Sequence, residues 1–407
     1  MPLNKLAINI YLLSIFSLFL PFTAYVPLFM LFIGTVFLEA LTKKEIKSKY
    51  IKNIFWFFIF ICIAAISHII NTEHSDKTQL IKLIINFLFV IAFIVFQANN
   101  ATYLRKTLVN KLPALIEVIL LITFLQVVVN LAKMNLWAMP FTGIQNSMDA
   151  YLIVEPDMYF GSKEKNIWAT KIVLISIIHI SFYLRGIYQL GKLRAYFFGF
   201  LILFNTLYTF SRTAQLMLIV SVFLYMLWKI FYVYRNAILK FFASSFLFIL
   251  GSAASIIIAD KLLHITLSSG DGLAARFELW NGLYQYYLSG NMNLLVGNGI
   301  LSGEYIISHY TDWDNNNFHN VFLNTFSDLG IAGLVNYLFL LKSVFITVEH
   351  KVDRRFSFLV LFIPFFVCIN SQYLGYDSDI AIYFTLVIAL MDLLSKKSSH
   401  SNTHGSL

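Results

Sequence analysis

Runs of about 20 apolar residues, the length a helix needs to cross a bilayer, recur through this chain from one end to the other. They constrain its fold more than any other feature. Backbone polar groups in hydrocarbon must be satisfied within the segment, so a chain of such runs is a bundle of transmembrane helices. The short alternating strands of a membrane barrel are missing from the pattern. Composition agrees: of 407 residues 59% are hydrophobic and 13% charged, where a soluble domain carries about 25% charged residues. The mean hydropathy is +0.74. The fold class expected is all-α, a polytopic bundle of about twelve spans.

Placement of Lys and Arg gives the orientation. Lys43, Lys44, Lys47, Lys49 and Lys52 follow the second apolar run, which puts that loop, and the N-terminus two spans earlier, in the cytoplasm. Spans are expected over 6–22, 25–41, 54–70, 80–97 and 113–132. The next begins near Asn166 and ends before Arg185, and others cover 195–210, the stretch from Thr213 to Arg235, 241–259 and 320–346. Two more enclose the outer turn Ser371–Asp379. Arg105, Lys106, Lys111, Lys192, Arg194, Lys240, Arg354 and Arg355 then fall inside. Glu155, Asp157, Asp271 and Asp312 fall outside. The first run lacks a small-residue cleavage site and leads straight into a second, so it is expected as a retained span. The chain divides into 1–259, spans one to nine with an outer segment near 133–165; 260–319, a long outer loop with an amphipathic helix; 320–394, spans ten to twelve; and 395–407, a cytoplasmic tail.

The balance of 30 Lys+Arg to 21 Asp+Glu does not indicate nucleic-acid binding, because the basic residues fall in short loops between spans, as membrane orientation requires. Cys62 and Cys368 lie inside apolar runs and are expected as small buried hydrophobes. They have no metal or redox spacing.

Chemistry concentrates where the longest polar segment, Asp260 to Phe318, meets the tenth span. His319 lies there among Asn315, Asn316, Asn317 and Asn320. On spacing alone it can help cap the span, with Asn317 or Asn320 as the cap, or take a proton near neutral pH. Leu273, Phe277, Trp280, Leu283 and Tyr284 follow helical spacing. That predicts an amphipathic helix on the outer membrane face with Arg276 and Glu278 on its polar side. Arg276 can snorkel to lipid phosphate there. Arg212, in Thr209-Phe210-Ser211-Arg212-Thr213 at the outer end of a hydrophobic hairpin, either snorkels or faces an anion, which its planar fork suits. Gly297-Asn298-Gly299 has the look of a phosphate loop but lacks the P-loop lysine and the third glycine of a dinucleotide site, so a turn is expected. His68 and His179 are expected to be satisfied within the bundle.

His319-Asn320, nine residues, then Gly330-x-x-Gly333 at the start of a late span resembles the signature of the bacterial O-antigen polymerase/ligase superfamily. The resemblance extends to the Ser211-Arg212-Thr213 turn, to Arg276 and Trp280 in the outer loop, and to Gly297-x-Gly299. It implies an inner-membrane glycosyltransferase acting on the periplasmic side. The donor would be a glycan on undecaprenyl pyrophosphate, transferred to an acceptor hydroxyl with inversion and without nucleotide sugar, metal or other cofactor. His319 would be the catalytic base and Arg212 and Arg276 the pyrophosphate ligands, supported by Asn320, Gly330, Gly333 and Trp280. The acceptor is a second lipid-linked repeat unit in a polymerase and the lipid A-core in a ligase. Asn317, where some ligases carry a further histidine, and the stretch Gly161–Ala169 lean towards polymerase. The bilayer is the other partner implied, with a chain-length regulator as a further candidate and no nucleic acid. A flippase or transporter of the same lipid-linked glycans is the alternative from another class. Transporters place their ionisable groups near the midplane, whereas here they gather at one face.

Overall fold

A backbone that meets hydrocarbon has to bond to itself, and the computed structural model is helical throughout its ordered elements. It describes residues 2–20, 25–42, 48–134, 137, 165–209, 211–234, 236–263, 272–313, 315–346, 351–370 and 373–401. The expected outer segment near 133–165 falls almost wholly outside these, as do Lys43, Lys44, Lys47 and Asp271.

The helices are α1 (Leu3–Ser17), α2 (Tyr25–Thr42), α3 (Ser48–Ile70), α4 (Lys77–Met134), α5 (Lys165–Leu184), α6 (Lys192–Leu207) and α7 (Arg212–Trp228). Then come α8 (Ala237–Leu263), α9 (Gly272–Leu288), α10 (Ser302–Tyr310), α11 (Val321–Phe345), α12 (Lys351–Phe356), α13 (Ile363–Ile369) and α14 (Ser378–Ser401). A π-helical stretch, Lys229–Val233, extends α7, and another, Ser357–Phe362, joins α12 to α13. The first expected span is shorter than its apolar run: α1 ends at Ser17 and passes into a turn.

Among the described residues, six helices are long and apolar enough to cross a membrane, and Leu3–Ser17 and Ala237–Ser252 are shorter apolar helices. One of the six, α4, has 58 residues. At 1.5 Å per residue it measures roughly 87 Å, nearly three times the hydrocarbon thickness. Its backbone breaks at Asn100 (φ −130°, ψ 28°), between the expected spans 80–97 and 113–132. The Asn100 carboxamide is buried there, donating to Glu39 Oε1 at 2.9 Å and to the Phe96 carbonyl at 3.3 Å.

α3 packs on α4 and α11, α4 on α2, α6 and α14, and α7 on α5 and α13. Aromatic rings fill the bundle's core. Phe29 stacks on Phe89 at 3.9 Å, and Phe60 meets Tyr337 at 5.7 Å. Trp168, Tyr11, Tyr373 and Tyr383 are fully buried. Large apolar side chains also cover the outside, among them Leu38, Ile69, Leu203, Ile219, Phe241 and Phe248. Exposed apolar surface on this scale belongs to a protein whose solvent is lipid.

A second, smaller core lies at one end of the bundle. Leu279, Leu283 and Tyr286 of α9 pack with Met292, with Ile306 and Ile307 of α10, and with Phe318. Of the expected apolar face, Leu283 is buried in this core and Trp280 packs against it. The helix's best partner is protein, and residues spaced i, i+4, i+7 from Leu279 meet it.

Candidate active site

α11 begins at Asn320, whose Oδ1 accepts the amides of Phe322 and Leu323 at 2.9 and 3.1 Å. Asn320 is therefore the cap. Asn317 bonds elsewhere, its Oδ1 accepting the His319 amide at 2.8 Å. His319 is left with no capping role. Its backbone sits at φ 52°, a left-handed conformation that costs a non-glycine residue on the order of 1–3 kcal/mol and concentrates at functional sites.

Neighbouring contacts hold that conformation. The Trp280 indole donates to the Phe318 carbonyl at 2.9 Å. The Phe318 amide donates to Asn324 Oδ1 at 2.8 Å, and the other end of that carboxamide donates to the Tyr373 carbonyl at 3.0 Å. Phe318 itself is fully buried in the small core. The imidazole is half-buried, with Nε2 3.4 Å from Asn315 Nδ2. Nδ1 has no hydrogen-bond partner among the described residues. Burial first, and then the Arg276 guanidinium, push the His319 pKa down to about 4. At neutral pH the ring is therefore neutral, the form that accepts a proton. Arg276 is half-buried rather than on a fully solvated face, and burial lowers its pKa.

The glycines serve backbone packing. The amides of Asn298 and Gly299 donate to the carbonyls of Ser327 and Asp328, at 2.9 and 3.2 Å. In return Ile331 and Ala332 donate to the carbonyls of Leu294 and Leu295, at 2.8 and 3.2 Å. These bonds interrupt α11 at Gly330 (φ 65°, ψ −163°). The expected single span 320–346 is thus a short helix over 321–329 and a longer one over 331–345. A Cβ on Gly330 would lie 2.5 Å from the Leu295 carbonyl, and one on Gly297 would lie 2.3 Å from that of Asp328. On Gly333 it would lie 2.1 Å from Leu329 Cβ. Gly297-Asn298-Gly299 is a turn, as expected, with its amides already bonded.

The structure thus brings His319, Asn320, Arg276 and Trp280 to one place and puts Gly330 and Gly333 beneath them. Arg212 lies on a different element. It is exposed on the first turn of α7, behind the cap Ser211, and makes no hydrogen bond or ion pair with a described residue. A cation at the positive end of a helix gains nothing from the dipole. Guanidinium and free amides there both favour an anion.

Spacing did not reveal Asn324, or the buried Asp328, whose Oδ1 accepts the amide and hydroxyl of Ser302 at 3.0 and 2.9 Å. The available signal was an acid and an asparagine inside an apolar run, each needing partners. His68 and His179 are satisfied, by Ser75 Oγ at 2.7 Å and Glu117 at 3.2 Å.

Residues 197–338 match the O-antigen ligase family, Wzy_C. Over these residues the chain is similar to the O-antigen polymerase/ligase superfamily. The match covers about a third of the chain and includes Arg212, Arg276, Trp280, His319, Asn320, Gly330 and Gly333. No curated protein gives a comparable match. The apolar helices describe a multi-pass membrane protein, and its residues 197–338 are similar to a family described as O-antigen ligase.

Proposed function

We propose that the protein is an inner-membrane glycosyltransferase of the O-antigen polymerase type, joining glycan repeat units carried on undecaprenyl pyrophosphate at the periplasmic face. The observation that carries this is His319: neutral, half-buried, held at a strained φ beside Arg276, with a ring nitrogen that has no partner among the described residues. It is the base that takes the acceptor's hydroxyl proton. Arg276 and Arg212 bind the pyrophosphate, whose leaving charge needs fixed positive groups. Attack opposite the leaving group inverts the anomeric centre, and the residues proposed need no metal for it. Twelve spans with both termini in the cytoplasm put these residues on the periplasmic side.

Transfer of finished polymer to lipid A-core is the second reading, favoured by the description of the matching family as O-antigen ligase. Deleting the gene and separating the surface glycan by electrophoresis decides between them. A core carrying one repeat unit is expected of a polymerase. A bare core with polymer accumulating on the lipid carrier would establish the ligase instead, and an unchanged glycan would overturn both.

A further inference from the structure

A cavity of about 370 Å³ opens between the loop joining α3 to α4 and one face of α10. Glu73 and Asp76 line it from the loop, Glu304, Tyr305 and Ser308 from α10, with Leu301 where the two meet. Two hydrogen bonds fix its walls. The Asp76 amide donates to the Ile300 carbonyl at 2.9 Å, and the Ile300 amide donates to Ser75 Oγ at 2.9 Å. The volume falls in the range that holds a small molecule, ~300–1,000 Å³.

α10 separates this cavity from the segment that carries His319. On its other face Ile306 and Ile307 are buried in the small core with Phe318. A Cβ on Gly303 would lie 3.2 Å from the Phe318 ring and 3.4 Å from the Asn316 carbonyl. A helix with its side chains is about 10–12 Å across, a distance that a glycan covers with the sugars adjoining the reacting one.

The polar groups of the cavity are open to a ligand. Glu73 and Glu304 are exposed, and neither carboxylate bonds or pairs with a described residue. The Tyr305 ring is held in place, its centroid 4.2 Å from that of His74 in a stacked pair, and its hydroxyl has no hydrogen-bond partner among the described residues. Asp76 Oδ1 accepts the amides of Thr78 and Gln79 at 2.6 and 3.1 Å, so this carboxylate is held by the start of α4. Carboxylates accept hydroxyl protons in charge-assisted bonds, and a tyrosine hydroxyl donates or accepts. Among the described residues no group of three or more His, Cys, Asp or Glu is placed to hold a metal ion. Acceptors spread this widely match a ligand with several separated hydroxyls. No Lys or Arg is among the described residues lining the cavity, so its field repels a carboxylate and admits an uncharged or amine-bearing sugar.

We propose that this cavity is a saccharide subsite, holding an uncharged or amine-bearing sugar of the glycan repeat unit beyond the one that reacts. This rests on the glycosyl-transfer reading. No bond forms or breaks in the subsite; it binds the glycan and aligns it across α10 with His319.

The test uses the full-length protein in lipid nanodiscs and two probes without a lipid carrier. One is the repeat-unit oligosaccharide released by mild acid from the carrier lipid of cells lacking the gene. The other is the core oligosaccharide released from lipid A-core. Binding is titrated by saturation-transfer NMR. Glu73→Ala combined with Glu304→Ala removes two charged acceptors from exposed positions, which should leave the fold intact and weaken binding of the repeat-unit oligosaccharide about tenfold or more. Ser308→Trp, which fills the cavity, should do the same. Equal binding by variants and wild type, or no binding to the wild type, overturns the subsite. A loss confined to the core oligosaccharide overturns the assignment to the repeat unit and gives the subsite to the lipid A-core acceptor. Methyl glucoside should displace the bound oligosaccharide at lower concentration than methyl glucuronide, and equal displacement overturns the charge selection. In transfer from the lipid-linked glycan, the same variants should raise KM about tenfold with kcat nearly unchanged. Binding needs no turnover, so the two ideas fail separately. Wild-type protein that binds the oligosaccharide, loses it in the variants and transfers nothing would remove the transferase reading and leave the subsite. Transfer with wild-type KM in every variant would remove the subsite and leave the transferase.

Discussion

His319 and Arg276 pull each other's chemistry in a direction that can be measured. Burial and the guanidinium hold the imidazole at about 4, below the ordinary value of about 6.5. Between those values the unfolded chain binds more protons than the folded one. Stability therefore rises with pH across that window, and acidification through it destabilises the protein. The acid limb of the kcat/KM profile should lie near the lower value. Arg276→Gln should move it up part of the way towards ~6.5, burial being the larger cause, and should raise KM for the pyrophosphate donor. An unchanged limb would show that the guanidinium does not act on the ring. Arg212→Lys keeps charge but loses the planar fork, so a bidentate pyrophosphate contact predicts about a tenfold or greater loss of kcat/KM. Full activity in that variant would remove Arg212 from donor binding. The sequence exposed His319 and Asn320 because a cluster of asparagines and a histidine stands where the longest polar segment meets a span, and Arg212 because it lies at the end of a hydrophobic hairpin. The choice of Asn320 as cap, and of Asn315 as ring partner, turns on the left-handed backbone at position 319, which spacing does not encode.

At the scale of elements, the break in α11 is the feature on which the site rests. Gly330→Ala has to place a Cβ 2.5 Å from the Leu295 carbonyl at φ 65°. It should cost about 2 kcal/mol or more. Gly34→Ala in α2 meets nothing within 4 Å and should stabilise its helix by ~0.5–1 kcal/mol. Thermal unfolding in detergent compares the two, and equal midpoints would mean that the 293–300 turn does not lock onto α11. Apolar periodicity made most helices legible. It did not show which residues pack on α9, because Ile306, Ile307 and Phe318 come from further along the chain. It gave the span 320–346, which α11 occupies, but not its break at Gly330, because backbone bonds from the 293–300 segment leave no mark on hydropathy.

Across the whole molecule, polar contacts gather at two ends of the bundle. At one end the Asp76 amide bonds the Ile300 carbonyl, and Asn324 bonds Tyr373, joining loops that the Lys/Arg distribution assigns to the periplasm. At the other, Arg185 pairs with Asp353 while its guanidinium lies 4.9 Å from the Trp228 ring, and Arg105 pairs with Asp392 at 2.5 Å. These segments are the ones expected inside. Single cysteines at Asp312 and at Lys192 or Arg354 should therefore label from opposite faces of sealed vesicles, and labelling from one face would overturn the topology. Asp353→Ala leaves the Arg185 charge without that partner and should cost roughly 3 kcal/mol, read as a loss of folded protein in detergent. Membrane class was legible because hydrocarbon acts on composition, whereas the ion pairs at the bundle ends depend on which helices become neighbours. The central claim is that His319 takes the acceptor's proton, and its most direct test is glycan transfer by purified protein from the undecaprenyl-pyrophosphate donor, normalised to folded protein. His319→Gln, which keeps a hydrogen-bonding side chain but no ordinary base, should lose about 10²-fold or more in turnover while remaining folded and inserted; turnover near that of the wild type would contradict the account.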